Sequence, residues 1–166
     1  MPRVHSRTKR RGGKTYTCDK CREPIEPQQR YYTWSFRYGG TRTRHETCGY
    51  PRPSELTQSR LSEVYAAMET LQDNADTWET EEDAQQAAQD AADVVREVVE
   101  AYTEAAEHFG GQGENQERAE QLESFADDLE SWQPPYLADY TEEGEEEPDL
   151  HAWREAAASE VPECPL

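Results

Sequence analysis

Cys18-x2-Cys21 and His45-x2-Cys48 are two pairs of metal-ligating residue types at knuckle spacing, with 23 residues between them. An x2 spacing lets both side chains of a pair converge on one ion. A hairpin between the pairs would fold the second back onto the first, completing a tetrahedral Cys3His shell around a single Zn2+. Such a shell has no open coordination position, so its role is structural. Three thiolates with Zn2+ leave about −1 at the centre, and Lys14, Lys20, Arg22, Arg42 and Arg44 lie close enough in sequence to offset it. Metal binding would also supply much of the folding free energy of so small a segment. A redox dithiol and chance clustering are the competing readings; the dithiol calls for a βαβ context that this sequence lacks. Cys164 reads as a free tail thiol, and His5, His108 and His151 have no ligand partners nearby and read as solvent-facing.

The element that must position these ligands is written in the intervening residues. QRYYTWSFRY runs into Gly39-Gly40 and then TRTR, the pattern of a β-hairpin. Alternation sends Tyr32, Trp34, Phe36 and Tyr38 to one face, expected to be buried against the helix that follows. Tyr31, Thr33, Ser35 and Arg37 go to the other face. Residues 15–53 are thus expected to form a zinc-binding hairpin module. Residues 1–14, MPRVHSRTKRRGGK, show neither a two-residue nor a 3.6-residue apolar period and read as a flexible basic arm. Arg3, Arg7, Lys9, Arg10, Arg11 and Lys14 on that arm, with Tyr31, Arg37, Arg42 and Arg44 on the hairpin, are the candidate nucleic-acid contacts: cations for phosphates beside rings on which bases could stack.

Beyond Pro51 and Pro53 the pattern turns helical. Ser54 is placed to cap a helix over 54–77 with Leu61, Val64, Tyr65, Met68 and Leu71 inward. Thr80 followed by Glu81, Glu82 and Asp83 resembles a capping box for a second helix ending at Phe109 before Gly110-Gly111. Its expected core, Ala84, Ala88, Ala91, Val95, Val98, Tyr102, Ala105 and Phe109, alternates spacings of four and three as a coiled-coil seam does. A third helix over 114–132 carries Ala119, Leu122, Ala126 and Leu129, flanked by Phe125 and Trp132. Short connections make these helices antiparallel neighbours, an acidic helical region over 54–133. Residues 134–166 read as an acidic tail, mobile through EEGEEEP, with a short helix at 149–159 docking through Leu150 and Trp153. The fold class is α+β, mostly α: a β-hairpin zinc finger followed by an antiparallel three-helix bundle or coiled coil.

The C-x2-C…H-x2-C spacing resembles the first half of a LIM domain and other fingers of the zinc-ribbon or treble-clef kind, over residues 15–50 only. More of the chain is similar to a group of small proteins encoded by tailed bacteriophages of actinobacteria. The matching features are MPRVH, CDKCREPI, FRYGG with TRTR after it, RPSELTQSRLSEVYAAMETL, the acidic helices and ECPL at the end. That resemblance implies a zinc head and the cytoplasm of an infected bacterium, and it implies no activity.

The charge is segregated: residues 1–60 carry a net +9 and residues 61–166 a net −28, together the −19 of the chain. With 34% hydrophobic residues there is little apolar surface to bury. No stretch approaches the roughly 20 apolar residues of a membrane helix, and the amino terminus has charges with no apolar run after them, so neither spanning nor secretion is expected. No nucleophile with a base, no phosphate-cradling glycine loop and no open metal site is present, so an enzyme is not expected. The reading is a non-enzymatic adaptor whose zinc head and arm contact nucleic acid and whose acidic helices contact protein. The alternative is a protein that engages a host factor through its acidic helices, as a nucleic-acid mimic for example, with the zinc head purely structural. A monomer is favoured over a homodimer, since the first and third helices can cover the second.

Overall fold

The computed structural model describes residues 1–108, 113–141 and 147–166, in which five short strands precede four α-helices. The chain divides into two units, Met1–Ser62 and Glu63–Leu166. The first holds β1 (His5–Thr8), β2 (Tyr16–Thr17), β3 (Pro24–Ile25), β4 (Arg30–Phe36) and β5 (Gly40–His45). β4 and β5 form the expected hairpin, with Tyr31 opposite His45 and Trp34 opposite Arg42. Arg37, Tyr38 and Gly39 make its loop, and Gly40 takes a φ of +81°, which a side chain would resist.

Part of the expected flexible arm is a strand. β1 pairs antiparallel with β4, His5 opposite Thr33 and Arg7 opposite Tyr31, giving the sheet order β1-β4-β5. Every residue of β1 is exposed. An edge strand held by backbone hydrogen bonds leaves no period in its side chains, so nothing in HSRT announces it.

The two faces of β4 also depart from expectation. Tyr31, placed on the open face by alternation, is only 5% exposed, and Tyr38, placed on the covered face, is 85% exposed because it lies in the loop beyond the strand. Trp34 is buried as expected. Residues after the hairpin return to it: Tyr50 meets Tyr32 edge-on at 5.2 Å, and the Gln58 amide sits where a Cβ on Gly39 would be.

The expected helix over 54–77 is interrupted. Pro53–Leu56 is a single 3-10 turn, Thr57 is extended, and α1 runs from Leu61 to Asp73, followed by a 3-10 turn at Ala75–Thr77. The early turn closes on itself because the Glu55 carboxylate accepts the Arg52 N–H at 2.9 Å. α2 (Glu81–His108) begins at a reciprocal cap: Asp83 N–H donates to Thr80 Oγ1 at 3.2 Å and Thr80 N–H to Asp83 Oδ2 at 2.9 Å. Its buried line is Ala84, Ala88, Ala91, Ala92, Val95, Val98, Tyr102 and Ala106. Ala106 replaces the expected Ala105 because a straight helix drifts off a 3.5-residue seam by about 20° per heptad. Phe109, Gly110 and Gly111 lie outside the described residues, as does most of EEGEEEP.

α3 (Glu114–Ser131) buries Ala119, Leu122, Phe125, Ala126 and Leu129. Arg96 reaches Asp127 and Glu130, whereas Arg118 sits 6.0 Å over the Tyr102 ring. The register therefore runs backwards along α3, and α2 and α3 are antiparallel. α4 (Leu150–Glu160) is capped by Asp149, whose carboxylate accepts from His151 and Ala152 N–H at 3.0 Å. Trp153, one of the two residues expected to dock this helix, is fully buried and its indole N–H donates to Pro135 C=O at 2.7 Å, while Leu150 is half-buried. Among the described residues no helix is long and apolar enough to cross a membrane.

Candidate metal centre and basic face

Cys18 and Cys21 sit in the turn between β2 and β3, His45 ends β5, and Cys48 closes the 3-10 turn that follows it. Hydrogen bonds fasten the two pairs to each other. Asp19 N–H donates to Thr43 C=O at 2.7 Å, and Asp19 Oδ2 accepts the Thr43 N–H at 2.7 Å. Thr43 Oγ1 donates to Thr17 C=O at 2.8 Å, and Lys20 Nζ to Cys48 C=O at 3.1 Å. Asp19 and Thr43 are positioning residues that the spacing of the ligands does not reveal.

The donor atoms of Cys18, Cys21, His45 and Cys48 all lie within 4.8 Å of one another. Cys18 and Cys48 Sγ are 3.9 Å apart, and His45 Nδ1 lies 3.3 Å from Cys21 Sγ and 3.9 Å from Cys48 Sγ. With metal–sulfur bonds of about 2.3 Å and metal–nitrogen bonds of about 2.0 Å, a tetrahedron has edges of about 3.5–3.8 Å. The group fits a four-coordinate ion. His45 would ligate through Nδ1, the ring nitrogen that faces the Cys21 and Cys48 sulfurs; its Nε2 is buried and has no partner among the described residues. The His45 backbone N–H points at Cys18 Sγ at 3.4 Å.

The thiols are tuned apart. Burial alone would raise Cys18, but the N–H groups of Cys21, His45 and Lys20 aimed at its sulfur prevail and bring it down to about 6. Burial, then hydrogen bonding and charge from Cys21 and Cys18, push Cys48 up to about 11. A thiolate already favoured at Cys18 beside three further donors is a receptor for a soft divalent cation. Cys164 is half-buried in the other unit, where burial raises its pKa.

Against the metal group packs a small core of Cys18, Ile25 and Tyr31, with Tyr16 and Cys48 half-buried at its edge. Tyr16 stacks on Tyr31, centroids 5.4 Å apart. On either side of this pair the surface is hollow. One hollow, of about 420 Å3, is lined by Arg7, Lys9, Arg10 and Lys14. The other, of about 430 Å3, is lined by Arg3, His5 and Arg7 and by Thr33, Ser35 and Thr41. Tyr16 and Tyr31 line both.

The residues read as nucleic-acid contacts therefore divide. Arg3, Arg7, Arg10 and Lys14 are exposed around the hollows, as is Arg11 on the same segment. Lys9 lines one of them but spends its ammonium on Ile25 C=O at 2.5 Å. Arg37 is exposed and covers the Tyr38 ring at 5.2 Å. Arg42 is exposed but bound to Asp19 at 3.3 Å. Tyr31 and Arg44 are not available: the first is core, and Arg44, 4% exposed, pairs with Glu55 and donates to Tyr50 C=O at 3.3 Å. A buried arginine is retained only with such partners, and nothing in TRTR tells which of its arginines has one. The missed residue is Tyr16, whose signal is an aromatic two positions before the first cysteine.

Comparison of the chain with protein-family models, with curated proteins and with solved structures finds no match.

Proposed function

We propose that this protein is a non-enzymatic, phage-encoded adaptor that acts in the cytoplasm of an infected bacterium. Its head is organised by one structural Zn2+ on Cys18, Cys21, His45 and Cys48, and it contacts nucleic acid through the face lined by β1 and the residues after it. The observation that carries the nucleic-acid reading is the pair of hollows flanking Tyr16. In a chain with 36 acidic residues, no Asp or Glu lines either one. Cations gathered without counter-charges favour a polyanion whose phosphates release bound counterions. Zinc is favoured by the donor set, since three thiolates and an imidazole in a closed tetrahedron suit an ion with no geometric demands of its own.

The test is native mass spectrometry for metal, with titration of labelled DNA and RNA at several salt concentrations. One Zn2+ per chain is expected, with an affinity that falls steeply with salt and is lost on chelation. Arg7→Gln with Arg10→Gln and Lys14→Gln should weaken binding and flatten the salt slope. Zinc without binding at low salt would leave the head a scaffold and end the nucleic-acid reading.

The protein-contacting half of the proposal rests on Glu63–Leu166. Its three cations, Arg96, Arg118 and Arg154, are held by Asp127 and Glu130, by Glu114, and by the Trp78 carbonyl. The remaining carboxylates give this unit a strongly anionic surface suited to a basic partner. Cross-linking of the full chain in infected-cell lysate should join acidic residues of α2 or α3 to one basic protein; links confined to the head would remove this half.

A further inference from the structure

We infer that the basic face is a single-strand site in which one unpaired base stacks on Tyr16 while the flanking phosphates occupy the hollows on either side; this rests on the nucleic-acid reading above. Three strands converge here, β1 bringing Arg7, β2 Tyr16 and β4 Tyr31. Tyr16 lies where the two hollows adjoin, because it lines both, together with Tyr31 and Arg7. Its inner side is taken by Tyr31, 5.4 Å away and 5% exposed, and Tyr31 is seated on Cys18 and Ile25. The stacked pair is therefore seated on the cluster beside the metal-ligating group.

A duplex offers such a face only phosphates, since its bases are already stacked on one another. An aromatic ring where two cationic hollows adjoin has a partner only where a base is free, and stacking of that kind tolerates any base. The hydroxyls of Thr33, Ser35 and Thr41 lining the second hollow supply donors and acceptors to base edges or sugar. Ser35 and Thr41 already share a hydrogen bond at 2.8 Å, which leaves each with further capacity.

The experiment compares single-stranded DNA, single-stranded RNA and duplex DNA of about 12 nucleotides with the zinc-loaded full chain, by fluorescence anisotropy. Tighter binding of one or both single strands than of duplex is expected; which of DNA or RNA is preferred identifies the natural strand. Tyr16→Leu, which keeps apolar contact with Tyr31, should weaken single-strand binding roughly 5- to 100-fold and duplex binding by less than that. Tyr16→Phe, which keeps the ring, should weaken single-strand binding far less than Tyr16→Leu does. Zinc content measured on each variant shows whether the head is intact. Should Tyr16→Leu lose zinc, the unaltered chain cross-linked to an iodouracil-containing strand decides: a cross-linked peptide containing Tyr16 supports the site, and cross-links only elsewhere overturn it. Equal affinity for duplex and single strands, unaffected by Tyr16→Leu, would overturn the single-strand site and leave the basic face standing. No binding of any nucleic acid would overturn both.

Discussion

The head and the helical unit meet the same shortage of apolar residues in different ways. In Met1–Ser62 the buried apolar cluster at the ligand group is Cys18, Ile25 and Tyr31, and the strands around it are short. Its order comes from backbone hydrogen bonds between β1, β4 and β5 and from four side chains converging on one point. In Glu63–Leu166 the work is done by length. α2 extends for 28 residues, and its small buried alanines let α3 approach closely, so that Leu122, Phe125 and Leu129 are enclosed between polar faces. One unit is held at a point and the other along a line. They should therefore fail under different insults.

Metal removal is the largest of these. Structural zinc in small domains is worth on the order of 10 kcal/mol or more, beyond what so small a set of buried side chains supplies. Exhaustive chelation, or Cys48→Ser, is expected to collapse the amide spectrum of residues 1–62 while most of the far-ultraviolet helical signal persists. Loss of both signals together would show that the line depends on the point.

The reverse insult is a cavity on the seam. Leu122 is fully buried, and Leu122→Ala should cost about 2–5 kcal/mol, read as a lower melting temperature of the helical signal. Zinc stoichiometry should remain one per chain. A variant that lost zinc as well would break the distinction from the other side.

The same difference governs what could be read before the fold was known. Periodicity reports side-chain burial, so the helices, the aromatic hairpin and almost all of the α2 and α3 core residues were legible. The ligand spacing reports local convergence and was legible too. What stayed hidden depends on backbone or on single partners: β1, whose pairing leaves no side-chain period, and Arg44, whose burial hangs on Glu55. Tyr31 was misplaced because strand alternation assumes one covered face, whereas the metal group covers the second. The break after Leu56 was hidden as well, since Ser54 caps as plausibly as any serine and the extended Thr57 has no marker.

Smaller effects test whether the line is anchored at its start. Thr80→Ala removes the oxygen that caps α2 and should cost about 1 kcal/mol in the helical transition. Its counterpart Asp83 supplies a pH signature. The Glu79 N–H, then the Thr80 side chain and N–H, hold its carboxyl below the ordinary 3.8. A depressed folded-state pKa contributes stability above the unfolded value, and that stability is lost as pH falls through the lower folded one. The difference in melting temperature between the unaltered chain and Asp83→Asn should thus be full near neutrality and close under acid. A constant difference at all pH values would mean that the carboxylate is not what caps the helix.

The smallest effect probes the head where neither metal nor side-chain packing intervenes. Glu26-Pro27-Gln28-Gln29 is a tight turn closed by Gln29 N–H to Glu26 C=O at 3.1 Å, with Gln28 at a φ of +73°. That is a type II turn with proline where it belongs and glutamine where glycine is favoured. The turn is tied to the end of β1 by Gln28 N–H to Lys9 C=O at 2.9 Å and Lys9 N–H to Gln29 C=O at 3.0 Å, and the Gln28 side chain takes no part in either bond. Gln28→Gly keeps every hydrogen bond and removes a left-handed penalty of about 1–2 kcal/mol, against about 0.5–1 kcal/mol of added unfolded-state freedom. Gln28→Val adds a β-branch at the same φ and should cost about 1 kcal/mol or more. Competition for zinc by a chelator reads both, because metal affinity and head folding are one equilibrium. A glycine variant that holds zinc at least as tightly as the unaltered chain, beside a valine variant that releases it more readily, would show that backbone conformation far from the ligands sets how firmly the point is held. Equal affinities in all three would confine the stability of the head to its metal shell.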